Sequence, residues 1–285
     1  MKIFRPKKLP EALKIVRDFG GEGQVLAGGT DIVPKLNLRQ ISPKALVSIR
    51  GIKELDYIRK KDNELHIGPL TTHARISTSV EVLDLAPCLS QASAQVGSPL
   101  IRSIGTLGGN LCWASPAADT APPLLSLDAE VIWQDETVQK RIPLKSFFQD
   151  VNQTTLPATA LITGIVIPEK KPNSRSVFLK LGMRNAVTIS VVSVAIFATF
   201  DQNRVVEDIR ISLGSVAPTP IIAKAAGEFL MGKEMERATV IEAANIAVGE
   251  ISPISDVRAS SWYRKEMTAI LTRRALEAVA GNFES

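Results

Sequence analysis

Two separate glycine-rich segments constrain the fold of this chain more than any other feature, because each lets the backbone turn sharply or approach another group closely. The first is VLAGGTDIVPKL, residues 25–36, where a hydrophobic strand runs into Gly28 and Gly29. Thr30 and Asp31 then stand where a helix N-cap would be, and a proline follows in the first helical turn, where its missing N–H costs nothing. Free N–H groups at such a helix start can bind a phosphate, although an ordinary strand–turn–helix junction has the same pattern.

The second segment is IRSIGTLGGNLCWASPAADTAPPLLSLDAEV, residues 101–131. It contains three glycines and two polar side chains that we expect in one phosphate-facing loop: Gly105, Gly108, Gly109, Thr106 and Asn110. Small residues continue to Asp119, whose carboxylate could bind a ribose hydroxyl, and Pro122 and Pro123 open a helix. Neither segment matches GxGxxG or GxxxxGK[ST], which excludes Rossmann and P-loop sites.

Composition excludes several other classes of protein. The chain has 285 residues, 45% of them hydrophobic and 22% charged, which indicates a globular protein of two or three domains. Its two cysteines and two histidines are scattered, whereas an iron–sulfur or Cys-rich zinc site needs about four ligands. The scarcity of cysteine indicates a reducing compartment, and we expect a cytoplasmic protein.

Charge and hydropathy argue against two kinds of partner. The formal net charge is +5, but the basic residues are dispersed and no nucleic-acid-binding motif is present, so we expect no nucleic-acid partner. An anionic cofactor or an acidic partner protein suits this charge better. The longest uncharged run, between Arg184 and Asp201, is shorter than the ~20 residues of a membrane span and has the composition of a buried strand.

Periodicity divides the chain into residues 1–55, 56–170 and 176–285, with the charged, turn-rich segment EKKPNSRS (169–176) as the linker. It predicts helices near 10–19, 31–40, 72–96 and 120–127, and strands at 24–28, 45–49, 64–67, 130–133 and 160–167. Beyond the linker it predicts three strands, SVFLKLGM, VTISVVSVAIFATF and VEDIRISLGSVA. It then predicts three helices, IIAKAAGEFLMGK, ATVIEAANIAVGEI and SWYRKEMTAILTRRALEAVA. Strands followed by helices indicate a carboxy-terminal α+β domain.

Taken in order, these motifs resemble those of a known family. They are AGGTD (27–31), IGPLTTHARI (67–76), TLGGN (106–110), ASPAAD (114–119), the FF pair at 147–148, FLKLGMR (178–184), ISLGSVAPTP (211–220) and DVRASSWYR (256–264). The chain is similar over nearly its whole length to the FAD-binding medium subunits of molybdenum hydroxylases, a group that includes xanthine dehydrogenase, carbon monoxide dehydrogenase and aldehyde oxidoreductases.

The resemblance implies an α+β fold in which two subdomains of the vanillyl-alcohol-oxidase (PCMH) type clasp FAD, followed by a small antiparallel sheet with helices. It implies that the pyrophosphate is held by the first segment, Val25, Leu26, Ala27, Gly28, Gly29, Thr30, Asp31 and Ile32, and by Thr106, Leu107, Gly108, Gly109 and Asn110. Asp119 would bind on the adenosine side, Ile162 would contact the adenine region through its backbone, and Lys180 would lie near the flavin ring. No catalytic residue and no metal ligand is implied in this chain.

The function implied is that of an electron-transfer flavoprotein subunit. A small [2Fe-2S] subunit and a large molybdopterin subunit are the implied partners, and FAD would pass electrons to NAD⁺ or another acceptor. One alternative is a stand-alone FAD-dependent reductase on the same fold. Another is a nonenzymatic scaffold whose glycine segments are only turns.

Several further residues have open roles. His73 is either a helix-start residue behind two threonines or a residue that lies near the flavin ring or is covalently linked to it, as in some relatives of this fold. Trp113 either packs or stacks beside the flavin. The two cysteines, Cys88 and Cys112, are predicted to be small packing residues rather than ligands. Arg264 is predicted to be an anchor within the domain or at an interface.

Overall fold

The computed structural model describes residues 1–281, and its amino-terminal part is a small parallel sheet. The strands pair in the order β1–β3–β2, and helix α1 connects β1 to β2. The elements are β1 (Lys2–Phe4), α1 (Leu9–Phe19), β2 (Gly23–Leu26), α2 (Ile32–Asn37) and β3 (Ala45–Ser48). Helix α1 has Pro10 in its first turn, ends at Gly20 in the left-handed conformation (φ +46°) and buries Leu13 and Val16. The predicted elements of this part are therefore confirmed.

The central part is a five-stranded antiparallel sheet in the order β4–β5–β10–β6–β7, with a group of short helices. Its helices are α3 (His73–Thr78), α4 (Val80–Leu85), α5 (Pro87–Gln95), α6 (Pro99–Ile104), α7 (Leu107–Trp113) and α8 (Ala121–Ser126). Its strands are β4 (Ile58–Lys61), β5 (Glu64–Ile67), β6 (Glu130–Gln134), β7 (Gln139–Pro143), β8 (Phe148–Asp150), β9 (Gln153–Thr154) and β10 (Leu161–Ile167). The helical stretch predicted at 72–96 is three helices rather than one, because Ser79 caps α4 and Pro87 starts α5.

The carboxy-terminal part is a four-stranded antiparallel sheet in the order β11–β12–β13–β14, with three helices. Its elements are β11 (Ser174–Gly182), β12 (Ser190–Phe200), β13 (Val206–Gly214), β14 (Ile221–Ile222), α9 (Lys224–Leu230), α10 (Arg237–Gly249) and α11 (Ser261–Ala280). Two predictions need correction. Strand β11 begins inside the segment predicted as a linker, and residues 221–222, predicted as the start of a helix, form an edge strand on β13.

Strand β12 has hydrophobic residues on both faces because both faces are covered. Ala195 and Phe197 join the core around the central helices, whereas Val194 and Ile196 join the core under α9–α11. The long uncharged run of the sequence is thus a doubly buried strand. None of the helices within residues 1–281 is long and apolar enough to cross a membrane.

The central and carboxy-terminal parts are joined by hydrogen bonds as well as by a shared hydrophobic core. The amide N–H of Phe178 on β11 donates to Oε1 of Gln91 on α5 at 2.8 Å, and the guanidinium of Arg210 on β13 donates to the carbonyl of Ser126 at 2.7 Å. A continuous hydrophobic cluster also runs from β5 and β10 through the central helices to β11 and β12. The boundaries at 55/56 and 170/176 stay predictions.

A buried arginine anchors α11 to this sheet. Arg264 is 2% exposed and donates to the carbonyls of Val191 at 2.6 Å and Ser215 at 3.0 Å, and to Oδ1 of Asp256 at 2.8 Å. A buried guanidinium is tolerated when its donors have acceptors of this kind. Arg264 is therefore an anchor within the domain, which resolves the choice left open by the sequence.

We expect Arg264→Met to lower the free energy of unfolding by about 3 kcal/mol, because the carbonyls of Val191 and Ser215 lose the Arg264 donor and the Asp256 carboxylate loses one of its partners. The matched control is Arg258→Ala. Arg258 bonds the other carboxylate oxygen of Asp256 at 2.7 Å, but it lies nearer the surface, so its loss should cost below about 1 kcal/mol. Urea unfolding followed by circular dichroism measures both, and equal losses would contradict the anchoring role of Arg264.

Candidate functional site

A large cavity lies where the three parts of the chain meet. Its volume is about 780 Å³, within the range of roughly 300–1,000 Å³ that is usual for ligand pockets. The walls come from both glycine-rich segments, from residues 154–162 at the start of β10, and from residues 187–189 before β12. All three parts of the chain therefore contribute to one site.

The first glycine-rich segment presents a row of free backbone donors to this cavity. Among the described residues, the backbone N–H groups of residues 28–32 have no hydrogen-bond acceptor. The next N–H along the chain, that of Val33, donates to the carbonyl of Gly29. Gly29 adopts φ +86° and Asp31 is right-handed (φ −105°, ψ −43°), an alternation that turns successive N–H groups toward one side. The segment forms a concave cradle of amide donors, which suits an anion.

Gly28 has a second role that the sequence pattern did not show. A Cβ at this position would overlap the carbonyl oxygen of Ile104 and lie 3.0 Å from the Cα of Gly105. The absence of a side chain lets the first segment pack directly on the backbone of the second. The contact between the two glycine-rich segments is thus backbone against backbone.

The second segment is a helix start rather than the loop that was predicted. Gly108 and Gly109 lie in the first turn of α7, whose N-cap is Thr106. The N–H of Gly109 donates to Thr106 Oγ1 at 3.2 Å, and the N–H groups of Leu107 and Gly108 donate to the carbonyls of Thr71 and Pro69. Because protein acceptors already use these amides, the segment faces the cavity mainly with its side chains and Cα surface.

Asn110 is the polar side chain of α7 that lines the cavity, and a neighbour fixes its orientation. The hydroxyl of Thr120 donates to Asn110 Oδ1 at 2.6 Å. Since this bond occupies the amide oxygen, the NH₂ group of Asn110 remains available as a donor. Thr120 itself is fully buried and does not line the cavity. No sequence pattern identifies Thr120 as a residue of the site, because its role depends on a tertiary contact with Asn110.

Asp119 lies in the cavity wall and is held from the carboxy-terminal sheet. Lys180 Nζ bonds Asp119 Oδ2 at 2.6 Å and the carbonyl of Gln95 at 3.2 Å, while the hydroxyl of Ser190 donates to Asp119 Oδ1 at 2.5 Å. Burial raises the pKa of the Asp119 carboxyl, and the Lys180 ammonium and the Ser190 hydroxyl act in the opposite direction. Lys180 stands behind Asp119 and does not itself line the cavity.

Most of the predicted site residues share this cavity. Those that line it are Val25, Ala27, Gly28, Gly29, Thr30, Asp31, Ile32, Thr106, Gly108, Gly109, Asn110, Asp119 and Ile162. Those that do not are Leu26, Leu107 and Lys180; Leu107 is fully buried in the core. Ile162 lies on β10 at the irregularity in its pairing with β6.

Other lining residues were missed by the sequence analysis. They include Val96 and Gly97 after α5, and residues 187–189 of the loop between β11 and β12. Val187 has a positive φ of 52°, which is uncommon for a β-branched residue, yet no sequence pattern announces it. These residues reach the cavity through long-range folding alone.

Trp113 connects the two glycine-rich segments at one side of the cavity. The ammonium of Lys35 on α2 lies 4.1 Å from the centre of the Trp113 ring, a cation–π contact. Trp113 therefore packs against Lys35 and also lines the cavity, and its stacking beside the flavin stays a prediction. Its neighbour Cys112 is exposed and lines the cavity too, whereas Cys88 is fully buried. Cys112 is therefore not the packing residue that was predicted.

Two family models together match almost the whole chain. The FAD binding domain in molybdopterin dehydrogenase matches residues 1–170, which include both glycine-rich segments. The chain belongs to this family. The CO dehydrogenase flavoprotein C-terminal domain matches residues 178–279, the antiparallel sheet and its helices.

Curated relatives of this flavoprotein family agree over nearly the full length. The nicotinate dehydrogenase FAD-subunit of Eubacterium barkeri is 31% identical over 93% of this chain and 90% of its own. The glyceraldehyde dehydrogenase medium chain of Sulfolobus acidocaldarius is 31% identical over 97% of each chain.

Solved structures show the same fold. A chain of carbon monoxide dehydrogenase from Hydrogenophaga pseudoflava superposes with a TM-score of 0.95 at 27% identity, over 99% of this chain and 97% of that one. A chain of quinoline 2-oxidoreductase from Pseudomonas putida 86 gives a TM-score of 0.92 at 26% identity, over 99% and 97%. The predicted α+β fold, with an FAD-binding domain of the PCMH type and a carboxy-terminal antiparallel sheet, is confirmed.

Family membership makes this flavoprotein an oxidoreductase subunit with FAD as its cofactor. The residues present fit that cofactor. A pyrophosphate needs several hydrogen-bond donors together, and the cavity presents the free amides of residues 28–32 with the Asn110 amide group. A dinucleotide also needs a pocket of several hundred Å³ with apolar and small-sided walls, roughly the size that is usual for ligand pockets, and the cavity between the three parts supplies it.

Replacing Gly28 by alanine should separate the two glycine-rich segments, because the new Cβ has no room against Ile104. We expect Gly28→Ala to lower FAD affinity at least about tenfold and to lower the thermal midpoint. Gly249→Ala is the matched control, since a Cβ there meets nothing within 4 Å. Fluorescence titration with FAD measures the affinity, and wild-type binding by Gly28→Ala would refute the close backbone contact.

Removing the Thr120 hydroxyl should weaken FAD binding without touching the cofactor. Thr120→Val frees the Asn110 amide to rotate, and we expect affinity to fall about fivefold, the value of one hydrogen bond of ~1 kcal/mol. Thr120→Ser keeps the hydroxyl and should bind FAD as the wild type does. Equal titration curves for the valine and serine variants would contradict the orienting role.

Proposed function

We propose that this chain is the electron-transfer subunit of a molybdenum-containing hydroxylase or dehydrogenase complex. It would take electrons from [2Fe-2S] clusters of a partner subunit and pass them through FAD to NAD⁺ or another acceptor. The observation that carries the proposal is the cradle of free amides in the shared cavity, in a chain of the molybdopterin dehydrogenase FAD-binding family. FAD supplies the chemistry, because it exchanges electrons both singly and in pairs.

Within the cavity, the cradle of residues 28–32 would hold the FAD pyrophosphate, and Asn110 would add a side-chain donor. Asp119 would bind hydroxyl groups of the cofactor, since its carboxylate is an acceptor at the cavity wall. Lys180 belongs to the site through Asp119, whose oxygen it holds at 2.6 Å. Ile162 would contact the adenine region through its backbone, as the family resemblance implies.

A partner must supply the iron–sulfur clusters. The chain has only two cysteines, and an iron–sulfur cluster needs about four protein ligands. Cys88 lies in the hydrophobic core and Cys112 lies in the cavity, so the two are not placed as a pair of ligands. Names such as medium chain and FAD-subunit describe the relatives as parts of larger enzymes. We infer a small [2Fe-2S] subunit and a large molybdopterin subunit as partners.

Cys112 provides a direct test of where FAD binds. An organomercurial should label Cys112 in the FAD-free protein, because it is exposed in the cavity, and should spare the fully buried Cys88. Burial raises the pKa of the Cys88 thiol to about 11, which adds to its protection, and a free thiol is mostly protonated at neutral pH, so a reagent with high thiol affinity is required. FAD should protect Cys112.

The control for this labelling is Cys112→Ser, which should take up no mercurial while it still binds FAD. Mass spectrometry of the digested protein locates the label. Equal labelling of Cys112 with and without bound FAD would place the cofactor outside the cavity.

The assembly is tested by purifying the tagged chain from its native host. We expect a complex that contains iron and molybdenum, and whose flavin is oxidised by NAD⁺ or by another acceptor in stopped-flow experiments. The rival is the stand-alone FAD-dependent reductase. Purification of the folded chain without partners, with turnover of a small substrate by NAD(P)H, would favour that rival.

A further inference from the structure

The connection between α5 and α6, residues 96–98, is held from behind by two cations. The guanidinium of Arg102 on α6 donates to the carbonyls of Val96 at 3.1 Å and Gly97 at 3.4 Å. The ammonium of Lys180 donates to the preceding carbonyl, that of Gln95, at 3.2 Å. Val96 and Gly97 line the cavity, whereas Arg102 and Lys180 do not. Three successive carbonyls are therefore directed at groups outside the cavity lining.

This arrangement fixes the direction of an amide group. In a planar trans peptide, the C=O of one residue and the N–H of the next point in opposite directions. The carbonyl of Val96 and the N–H of Gly97 belong to one such peptide, so the bond to Arg102 turns this N–H to the opposite side, where Gly97 lines the cavity. Among the residues that the structure describes, the N–H of Gly97 has no hydrogen-bond acceptor. Gly97 thus offers the cavity a donor that is fixed in direction and free to bind a ligand.

The positive charge behind this amide has no carboxylate partner. Within residues 1–281, Arg102 bonds the two carbonyls and forms no ion pair with an acidic side chain. The nearby imidazole of His73 is neutral at neutral pH, because burial and then the charge of Arg102 lower its pKa to about 4. This part of the cavity wall is therefore electropositive, and it is separate from the amide cradle of residues 28–32.

The surroundings of this wall suit a flat, largely apolar ring. Strands β11 and β12 pair as far as Gly182 and Ser190. Because Lys180 on β11 reaches Gln95, the loop between these strands leaves the sheet beside residues 96–97. The apolar side chains that line the cavity here are those of Val96, Ile101, Val187 and Ile189. A flavin ring has apolar faces and two carbonyl oxygens, so it needs apolar contacts together with a few hydrogen-bond donors.

We propose that the N–H of Gly97 donates to a carbonyl oxygen of the flavin ring, and that Arg102 is the positioning residue that holds this amide in place. The proposal rests on the proposed binding of FAD in this cavity, with the adenine region at Ile162 on a different element. Reduction adds electron density to the oxygens of the ring. A fixed N–H with a cation behind it therefore binds reduced FAD more tightly than oxidised FAD and raises the reduction potential.

Replacing Arg102 by methionine should release the Val96 carbonyl and with it the Gly97 amide. We expect Arg102→Met to weaken the binding of reduced FAD about tenfold more than that of oxidised FAD. This ratio corresponds to a two-electron potential of the bound flavin that is about 30 mV lower. Fluorescence titration of the full chain measures the affinity for oxidised FAD, and titration against redox dyes of known potential measures the ratio.

Two control variants separate positioning from general stability. Arg102→Lys keeps a cation that can donate to the Val96 carbonyl, and we expect it to stay within about twofold of the wild-type ratio. Arg210→Met removes another half-buried arginine that holds a carbonyl, that of Ser126 at 2.7 Å, but does not line the cavity. It should lower the thermal midpoint and leave the ratio of the two affinities unchanged.

Hydrogen–deuterium exchange of the wild type gives a second readout that needs no variant. The N–H of Gly97 should exchange rapidly in the FAD-free chain, because it has no acceptor, and slowly when FAD is bound. Mass spectrometry of overlapping peptides around residues 96–98 measures the difference. Should Arg102→Met fail to fold, this exchange experiment still decides.

A wild-type ratio of affinities in Arg102→Met would overturn the positioning role of Arg102, and so would an equal loss in Arg210→Met. Rapid exchange of the Gly97 amide in the FAD-loaded wild type would overturn the proposed bond. A folded wild-type chain that binds no FAD would refute the proposed function itself, whereas these other outcomes leave FAD binding intact and refute only the role of the Gly97 amide.

Discussion

The contact on which the site depends is that between two pieces of backbone, at Gly28 and at Ile104–Gly105. It brings together segments that are distant in the chain, one from the parallel amino-terminal sheet and one from the central helices. Side chains larger than hydrogen would hold them apart, so glycine is required here by packing between segments. The cradle of free amides and the start of α7 then face the same cavity. The imidazole of His73 also packs against Gly105.

The carboxy-terminal sheet completes the cavity and fixes its charged residue. A buried carboxylate needs partners, and Asp119 finds them in Lys180 and Ser190, which lie on β11 and β12. The residue after Ser190 is held in turn through its carbonyl by Arg264 on α11. A chain of polar contacts therefore runs from the last helix to the cavity wall. The carboxy-terminal part of this flavoprotein accordingly contributes to the wall of the cavity.

Sequence patterns predicted the secondary structure well where neighbouring residues in the chain determine it. Helix α1 followed from a proline start and an apolar face, and β12 from a long run of β-branched and aromatic residues. The second glycine-rich segment was mistaken for a loop because glycine disfavours helix interiors. The hydroxyl of Thr106 and the carbonyls of Pro69 and Thr71 supply enough acceptors to make it a helix start. Those carbonyls belong to a distant strand connection, which no window of sequence contains.

The sequence by itself determined the family, the cofactor class and most of the residues around the cavity, because the glycine-rich motifs are short, ordered and chemically specific. Only the tertiary structure decided which groups face the cavity. It showed that Lys180 reaches the site through Asp119, that Thr120 orients Asn110, and that the amides of α7 are already bonded. The physical reason is that hydrogen-bond satisfaction and burial are settled by contacts between residues far apart in the chain, which residue spacing does not encode.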